Sequence, residues 1–259
     1  MYKFTPSIKR LKQDEPTVTT EQERLQLGAA LAKEGRYDEA LAELTTVLQT
    51  NSNSVHAHLA VGNIYLTQKH YQEALHHFLA VMLLDPLMPE APLNAGRVYL
   101  KQGRLSQALE QFENVLNLDP KSAPAQVGIA QVCIEQKQYD AAVQRLKFAL
   151  SLNPEMSLAH LLLAEAYKNK GKISEAVTEL KTALSLNSKF VLAYIKLGRI
   201  YLEQEEYKAA RDAFEAAIKL NPAIPAARLG LAETLIQENK LKEAAEVISN
   251  LPKLQRRDG

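Results

Sequence analysis

Alanine recurs at Ala40, Ala74, Ala108, Ala142, Ala176, Ala210 and Ala244, every step being 34 residues without a slip. A fixed period of that length means one small supersecondary unit copied along the chain, each copy burying its apolar face against its neighbours. With the alanine set at position 20, the copies run 21–54, 55–88, 89–122, 123–156, 157–190, 191–224 and 225–251. Other columns then align. Position 8 is small throughout (Gly28, Gly62, Gly96, Ala130, Ala164, Gly198, Ala232), and position 11 is large in most copies (Leu31, Tyr65, Tyr99, Tyr167, Tyr201). Position 24 carries Leu44, Phe78, Phe112, Leu146, Leu180, Phe214 and Ile248. Copies close with an acid or amide and then proline, as at Asp85-Pro86, Asp119-Pro120, Asn153-Pro154 and Asn221-Pro222.

Two helices per copy follow from these columns. Positions 4, 7, 8 and 11 share one face by the i, i+3, i+4, i+7 rule, so a first helix offers Val61, Gly62 and Tyr65 together. Positions 20, 24 and 27 give the second helix its matching face, as in Ala74, Phe78 and Val81. The alanine is expected to face the small residue at position 8, with the aromatic filling space beside it. Proline disfavours helical geometry in the residue before it, so the Asp-Pro or Asn-Pro step ends the second helix.

In order along each copy, these residues give Leu-Gly-x-x-Tyr, then Ala, then Phe, then Pro. That pattern resembles the tetratricopeptide repeat, and the resemblance covers residues 21–251 in seven copies. It implies an all-α fold, a right-handed superhelical solenoid of antiparallel helix pairs. Two departures stand out. Where Trp or another aromatic is expected, position 4 reads Arg24, His58, Pro92, Gln126, His160, Tyr194 and Arg228, a set expected to loosen local packing, and the closing proline is missing at Ser52 and Ser188.

Positions 2, 5, 6, 9, 12 and 13 form the other stripe of each first helix, and the resemblance implies that this stripe lines a concave groove. Position 5 is aliphatic (Leu25, Leu59, Leu93, Val127, Leu161, Ile195, Leu229), and position 12 nearly so, with Lys168 as the break. Such rails serve equally to pack one first helix on the next or to anchor a partner segment. The polar candidates for partner contact are Asn63, Asn94, Arg97, Lys101, Gln131, Glu165, Lys196 and Arg199, because long polar side chains on an enclosed face have few structural duties. The implied partner is a peptide or amphipathic helix of another protein.

Formal net charge is +1, with +2 on residues 1–20 and +2 on residues 240–259, leaving the repeats at −3. No field of that size draws nucleic acid or an acidic membrane. Apolar runs such as Phe78 to Leu84 are too short for a membrane span. Residues 1–20 read as a flexible leader without a secretory core, and residues 252–259 as a C-terminal tail. The single Cys133 sits at position 11, a buried inert thiol suited to a reducing, cytoplasmic setting.

Five of the six histidines fall in one repeat (His56, His58, His70, His76, His77), but their spacing matches no metal-ligand pattern, and no cofactor is implied. No serine, cysteine or aspartate lies in a nucleophile or phosphate-loop setting, so the chain reads as non-enzymatic. Three function classes remain: an interaction scaffold, an assembly or biogenesis factor for a membrane-associated machine, and, least favoured by charge and period, a helical-repeat RNA binder. Ala245, Val247, Ile248 and Leu251 leave an apolar C-terminal end that invites partner docking or self-association. Some members of the family hold a C-terminal carboxylate in a Lys/Asn clamp; Asn63 and Asn94 match it, but Leu59, Pro124 and Gly128 stand at the other places. A titration with the acidic tail peptide of a heat-shock chaperone is therefore expected to show no nanomolar binding.

Overall fold

The computed structural model describes residues 20–249; expectations placed on the leader before Thr20 and on Leu251 and the tail lie outside the described residues. Fourteen helices and no strand occur among the described residues. They are α1 (Glu21–Lys33), α2 (Tyr37–Thr50), α3 (Val55–Thr67), α4 (Tyr71–Leu84), α5 (Glu90–Lys101), α6 (Leu105–Leu118), α7 (Ala123–Glu135), α8 (Tyr139–Leu152), α9 (Ser157–Asn169), α10 (Ile173–Leu186), α11 (Val191–Glu203), α12 (Tyr207–Leu220), α13 (Pro225–Gln237) and α14 (Leu241–Ser249). Two compact units are formed, one ending at Leu118 and the other beginning at Asp119. Within each unit, every helix packs on the next one in the chain, and odd-numbered helices meet as well, α1 with α3 and α11 with α13.

The alanine column is buried in every repeat. What meets the small residue at position 8 is not that alanine, however, but the side chain at position 24. A Cβ added to Gly62 would stand 2.7 Å from the Phe78 ring, one at Gly96 2.7 Å from Phe112, and one at Gly198 2.8 Å from Phe214. Where position 8 is alanine, at Ala130 and Ala164, position 24 is the smaller Leu146 or Leu180. In the first repeat Gly28 meets Leu44, and an added Cβ would still stand 2.8 Å from that side chain, so the approach at position 8 is close with leucine as well as with phenylalanine. Phe78 also reaches the following repeat, sharing a buried cluster with Ala95 and Val98.

Two turns set the pair geometry. Between the helices of each repeat, position 15 has a left-handed backbone: Gly35, Gly103 and Gly171 adopt it at φ 72 to 80°, but Lys69, Lys137, Glu205 and Asn239 adopt it too, at 59 to 64°. Glu205 and Glu206 therefore sit on an exposed turn. After the second helix, the acid or amide at position 31 accepts from the backbone N–H two residues on, at Asn51, Asp85, Asp119, Asn153, Asn187 and Asn221, over 3.0 to 3.2 Å. That side-chain turn is present at Asn51 and Asn187 without the proline, which explains why Ser52 and Ser188 are tolerated.

Position 4 does not loosen the packing. It bridges to position 23 of the second helix with polar groups: Arg24 Nη1 to Glu43 at 2.6 Å, Arg145 Nη1 to Gln126 at 3.0 Å, His160 Nδ1 to Glu179 at 2.6 Å, and His58 Nδ1 to His77 Nδ1 at 2.9 Å. Three position 4 residues brace the loop before their helix. His58 Nε2 contacts the Ser52 carbonyl at 3.0 Å, His160 Nε2 the Pro154 carbonyl at 3.0 Å, and Arg228 Nε the Pro222 carbonyl at 3.1 Å. Pro92 can offer nothing, and its partner Gln111 keeps a buried Oε1 without a hydrogen bond. The Ser52 carbonyl only accepts, so His58 Nε2 donates to it. Burial, then His58 and His76, hold the His77 pKa down at about 4.

Gly62→Ala gains about 0.5–1 kcal/mol of helix propensity but forces the Phe78 ring, which costs about 1–3 kcal/mol, so the net loss is expected near 1 kcal/mol. Phe78→Leu in the same chain should recover at least about 1 kcal/mol of that, a coupling that denaturant titration of the four variants measures. The depressed His77 pKa has its own consequence. Below the ordinary histidine value of 6.5 the unfolded chain takes up a proton that the folded chain refuses until about pH 4, so stability falls as pH drops through that window. His77→Gln should flatten the decline, read as melting midpoints by circular dichroism at pH 7.5 and 4.5.

Candidate functional site

In the first unit, Asn63 on α3 and Asn94, Arg97 and Lys101 on α5 share the first-helix face, the last three following the i, i+3, i+7 spacing. Asn94 is only 8% exposed. Its Nδ2 donates to Asn63 Oδ1 across the two helices at 2.8 Å, and its own Oδ1 accepts from Arg97 Nη1 at 2.9 Å. Arg97 is exposed as a residue, and desolvation of its guanidinium lowers its pKa from the ordinary value. Among the described residues, no carboxylate forms an ion pair with Arg97 or Lys101. Beside this row lies a cavity of about 240 Å³ between α1 and α3, lined by Ala29, Ala32, Ala60, Asn63, Ile64 and Thr67 among others.

The second unit is built differently. Lys196 Nζ meets Glu165 at 3.0 Å and Lys168 Nζ meets Glu203 at 2.6 Å, both linking α9 with α11; Arg199 Nη1 meets Glu233 at 2.5 Å and links α11 with α13. Each pair is part-exposed and contributes on the order of 0–1 kcal/mol, so the three set charge and register more than they hold the stack. Glu165, Lys168, Lys196 and Arg199 wall a cavity of about 340 Å³ whose apolar lining is Ala164, Leu180, Leu192, Ile195 and Ile200. A second cavity of about 340 Å³ lies along the row, with Arg199 again in its wall beside Glu203, Tyr207 and Glu233. Gln131 on α7 is half-buried and stands apart from these cavities.

All eight expected residues therefore lie on first helices, and seven fall into two groups: Asn63, Asn94, Arg97 and Lys101 in one unit, Glu165, Lys196 and Arg199 in the other. The idea that such side chains lack structural duties is corrected by their hydrogen bonds and ion pairs to one another. Sequence reasoning missed Glu203 and Glu233 as counter-ions and Lys168 as a member of the row. The signal was there, since opposite charges stand 31 to 35 residues apart in neighbouring columns.

The aliphatic rail divides. Val127, Leu161 and Ile195 are buried, Leu25, Leu59 and Leu93 half-buried, and Leu229 is 48% exposed. Packing accounts for the first three. At the C-terminal end, Leu229, Ile236, Leu241 and Ile248 remain open to solvent.

No three His, Cys, Asp or Glu side chains converge on a metal position among the described residues. Cys133 is buried; burial pushes its thiol up, with Arg145 opposing only in part, so its thiolate is scarce at neutral pH. No helix of the described residues is long and apolar enough to cross a membrane.

A tetratricopeptide repeat model matches residues 31–87 and 65–126, and a model of the tetratricopeptide repeat protein 21 C-terminal ARM domain matches residues 97–250. Comparison with curated proteins finds no match. Among solved structures, a tetratricopeptide repeat protein from Parabacteroides merdae is similar with 20% identity and a TM-score of 0.73, over 87% of this chain and 88% of that one. PilW, described as a widely conserved type IV pilus biogenesis factor, is similar with 19% identity and a TM-score of 0.71, over 82% of this chain and 98% of that one. The APC/C hetero-tetramer Cut9-Hcn1 gives a TM-score of 0.76 at 15% identity over 83% of this chain; the chain spans 43% of that longer one. At these identities the likeness is one of fold. Repeat columns, helix pairs and family models agree, and the chain belongs to the tetratricopeptide repeat family.

Proposed function

We propose that the protein is a non-catalytic interaction scaffold that holds a peptide or amphipathic helical segment of a partner protein on its first-helix faces, during assembly of a larger complex. One observation carries this reading: the cavity of about 340 Å³ on α9 and α11 joins an apolar floor to ionic walls from Glu165, Lys168, Lys196 and Arg199. An amphipathic segment seated there gains apolar burial from the floor and register from the walls. In the first unit, Arg97 and Lys101 add donors that no carboxylate of the described residues neutralises, so acidic or carbonyl groups of a partner suit that end. A cytoplasmic setting is part of the proposal, since a lone buried thiol suits it.

A second reading, an assembly factor for a membrane-associated machine, is supported by the fold likeness to PilW, a type IV pilus biogenesis factor. It differs in requiring recovery of the protein with membranes.

Affinity capture from cell extract with the intact protein and an Arg97→Glu, Arg199→Glu double variant tests the scaffold reading. Partner recovery should fall by about tenfold or more in the variant, while its melting temperature stays close, because part-exposed pairs contribute little to stability. Equal recovery by both proteins moves the partner site off the first-helix faces.

A further inference from the structure

The face made by the second helices of the first unit carries an apolar ridge that belongs to one repeat alone. Leu79, Leu83 and Leu87 are 50%, 82% and 76% exposed, spaced by four residues along α4 and into the loop after it. The other repeats place Thr45, Glu113, Lys147, Lys181 and Glu215 where Leu79 stands, and Gln49, Asn117, Ser151, Ser185 and Lys219 where Leu83 stands. Asp85 Oδ1 accepts from the Leu87 N–H at 3.1 Å, which fixes the loop that presents the third leucine. Nothing in the packing of α4 uses these side chains; its buried residues are Ala74, Leu75, Phe78 and Val81.

Charge around the ridge is one-sided. Helices α2, α4 and α6, with residues 51–54 and 85–89, hold no lysine or arginine, while Asp38, Glu39, Glu43, Glu73, Asp85, Glu110 and Glu113 are all acidic. Glu39 and Glu43 already pair with Arg36 and Arg24. On α6, Glu110 and Glu113 occupy the exposed stripe equivalent to His76 and Leu79 on α4. The corresponding helices of the second unit carry Arg145, Lys147, Lys181, Lys208, Arg211 and Lys219, so the imbalance is local.

The chain holds a complementary segment. Residues 2–12 read Tyr-Lys-Phe-Thr-Pro-Ser-Ile-Lys-Arg-Leu-Lys, with Phe4, Ile8 and Leu11 at i, i+4, i+7 and four cations, Lys3, Lys9, Arg10 and Lys12, against no acid. We propose that this N-terminal segment docks in cis on the second-helix face of the first unit, its apolar residues on Leu79, Leu83 and Leu87 and its cations toward Glu110 and Glu113. Reach permits it. Helix α1 starts at the end of the stack where α2 and α4 finish, since the Glu21 carboxylate accepts from Asn51 and Ser54 just after α2. The eight residues from Lys12 to Thr20 span up to about 28 Å, against helix spacings of about 8–10 Å. A foreign basic amphipathic segment fits the same chemistry, but it lacks the high local concentration that a short tether confers. This surface lies on the opposite helices from the first-helix faces, so its failure and that of the scaffold reading are independent.

Limited trypsin digestion of the full-length protein, followed by mass spectrometry, tests the docking through cleavage after Lys9, Arg10 and Lys12. Leu83→Glu with Leu87→Glu should speed that cleavage by about fivefold or more, because the rate follows the undocked fraction. Ile8→Ser with Leu11→Ser, which leaves the repeats untouched, should do the same, and Glu110→Lys with Glu113→Lys should do so to a smaller degree. Equal cleavage rates in the wild type and both leucine-directed variants overturn the proposal. Protection that fades on twentyfold dilution also overturns it, since the occupant is then the segment of a second copy.

Discussion

The whole architecture depends on one close approach, the missing methyl group at position 8 of a first helix and the bulky side chain at position 24 of the second. Gly62 with Phe78, Gly96 with Phe112 and Gly198 with Phe214 leave no room for a Cβ, while Ala130 and Ala164 are matched by the slimmer Leu146 and Leu180. Because the contact lies inside a helix pair, it sets the geometry of that pair without a neighbouring repeat. The same ring then forms part of the surface that receives the next repeat, as Phe78 does for Ala95 and Val98. Local geometry and propagation therefore share one side chain, which is how an array without a central core stays ordered.

Polar bridges do a job that the sequence pattern assigns to an aromatic. A bulky ring at position 4 would wedge between the helices and the preceding loop; Arg24, His58, Gln126 and His160 instead span to position 23 by hydrogen bonds, and His58 and His160 hold the loop carbonyl as well. This exchange trades area burial for directional contacts, and it makes the pair sensitive to protonation of His77, whose ring lies partly buried 2.9 Å from His58 Nδ1.

Helix number, pair boundaries and the buried columns were legible in the sequence, because period and burial follow from backbone geometry and a strict repeat samples that geometry seven times. The identity of the residue facing Gly62 was not, since positions 20 and 24 lie on the same face one turn apart and only helix crossing decides between Ala74 and Phe78. The candidate contact residues were placed on the correct helices for the same reason. Their mutual pairing runs between repeats: Lys196 at position 6 reaches Glu165 at position 9 across 31 residues, and Arg199 reaches Glu233 within the position 9 column across 34, so opposite charges in adjacent copies were the legible sign.

The first and the last described repeats are chemically unlike. Position 3 is alanine at Ala57, Ala91, Ala159, Ala193 and Ala227, all fully buried, but in the first repeat it is Glu23. Glu23 closes a capping box with Thr20, accepting from the Thr20 N–H at 2.9 Å while its own N–H donates to Thr20 Oγ1 at 3.3 Å. A carboxylate occupied in that way cannot enter the contact that the alanines make. At the far end the situation reverses. Position 24 is buried in the six preceding repeats, yet Ile248 is 45% exposed there, and Leu229 and Ile236 stand open beside it. Polar closure therefore marks the start of α1, whereas α13 and α14 present apolar side chains to solvent.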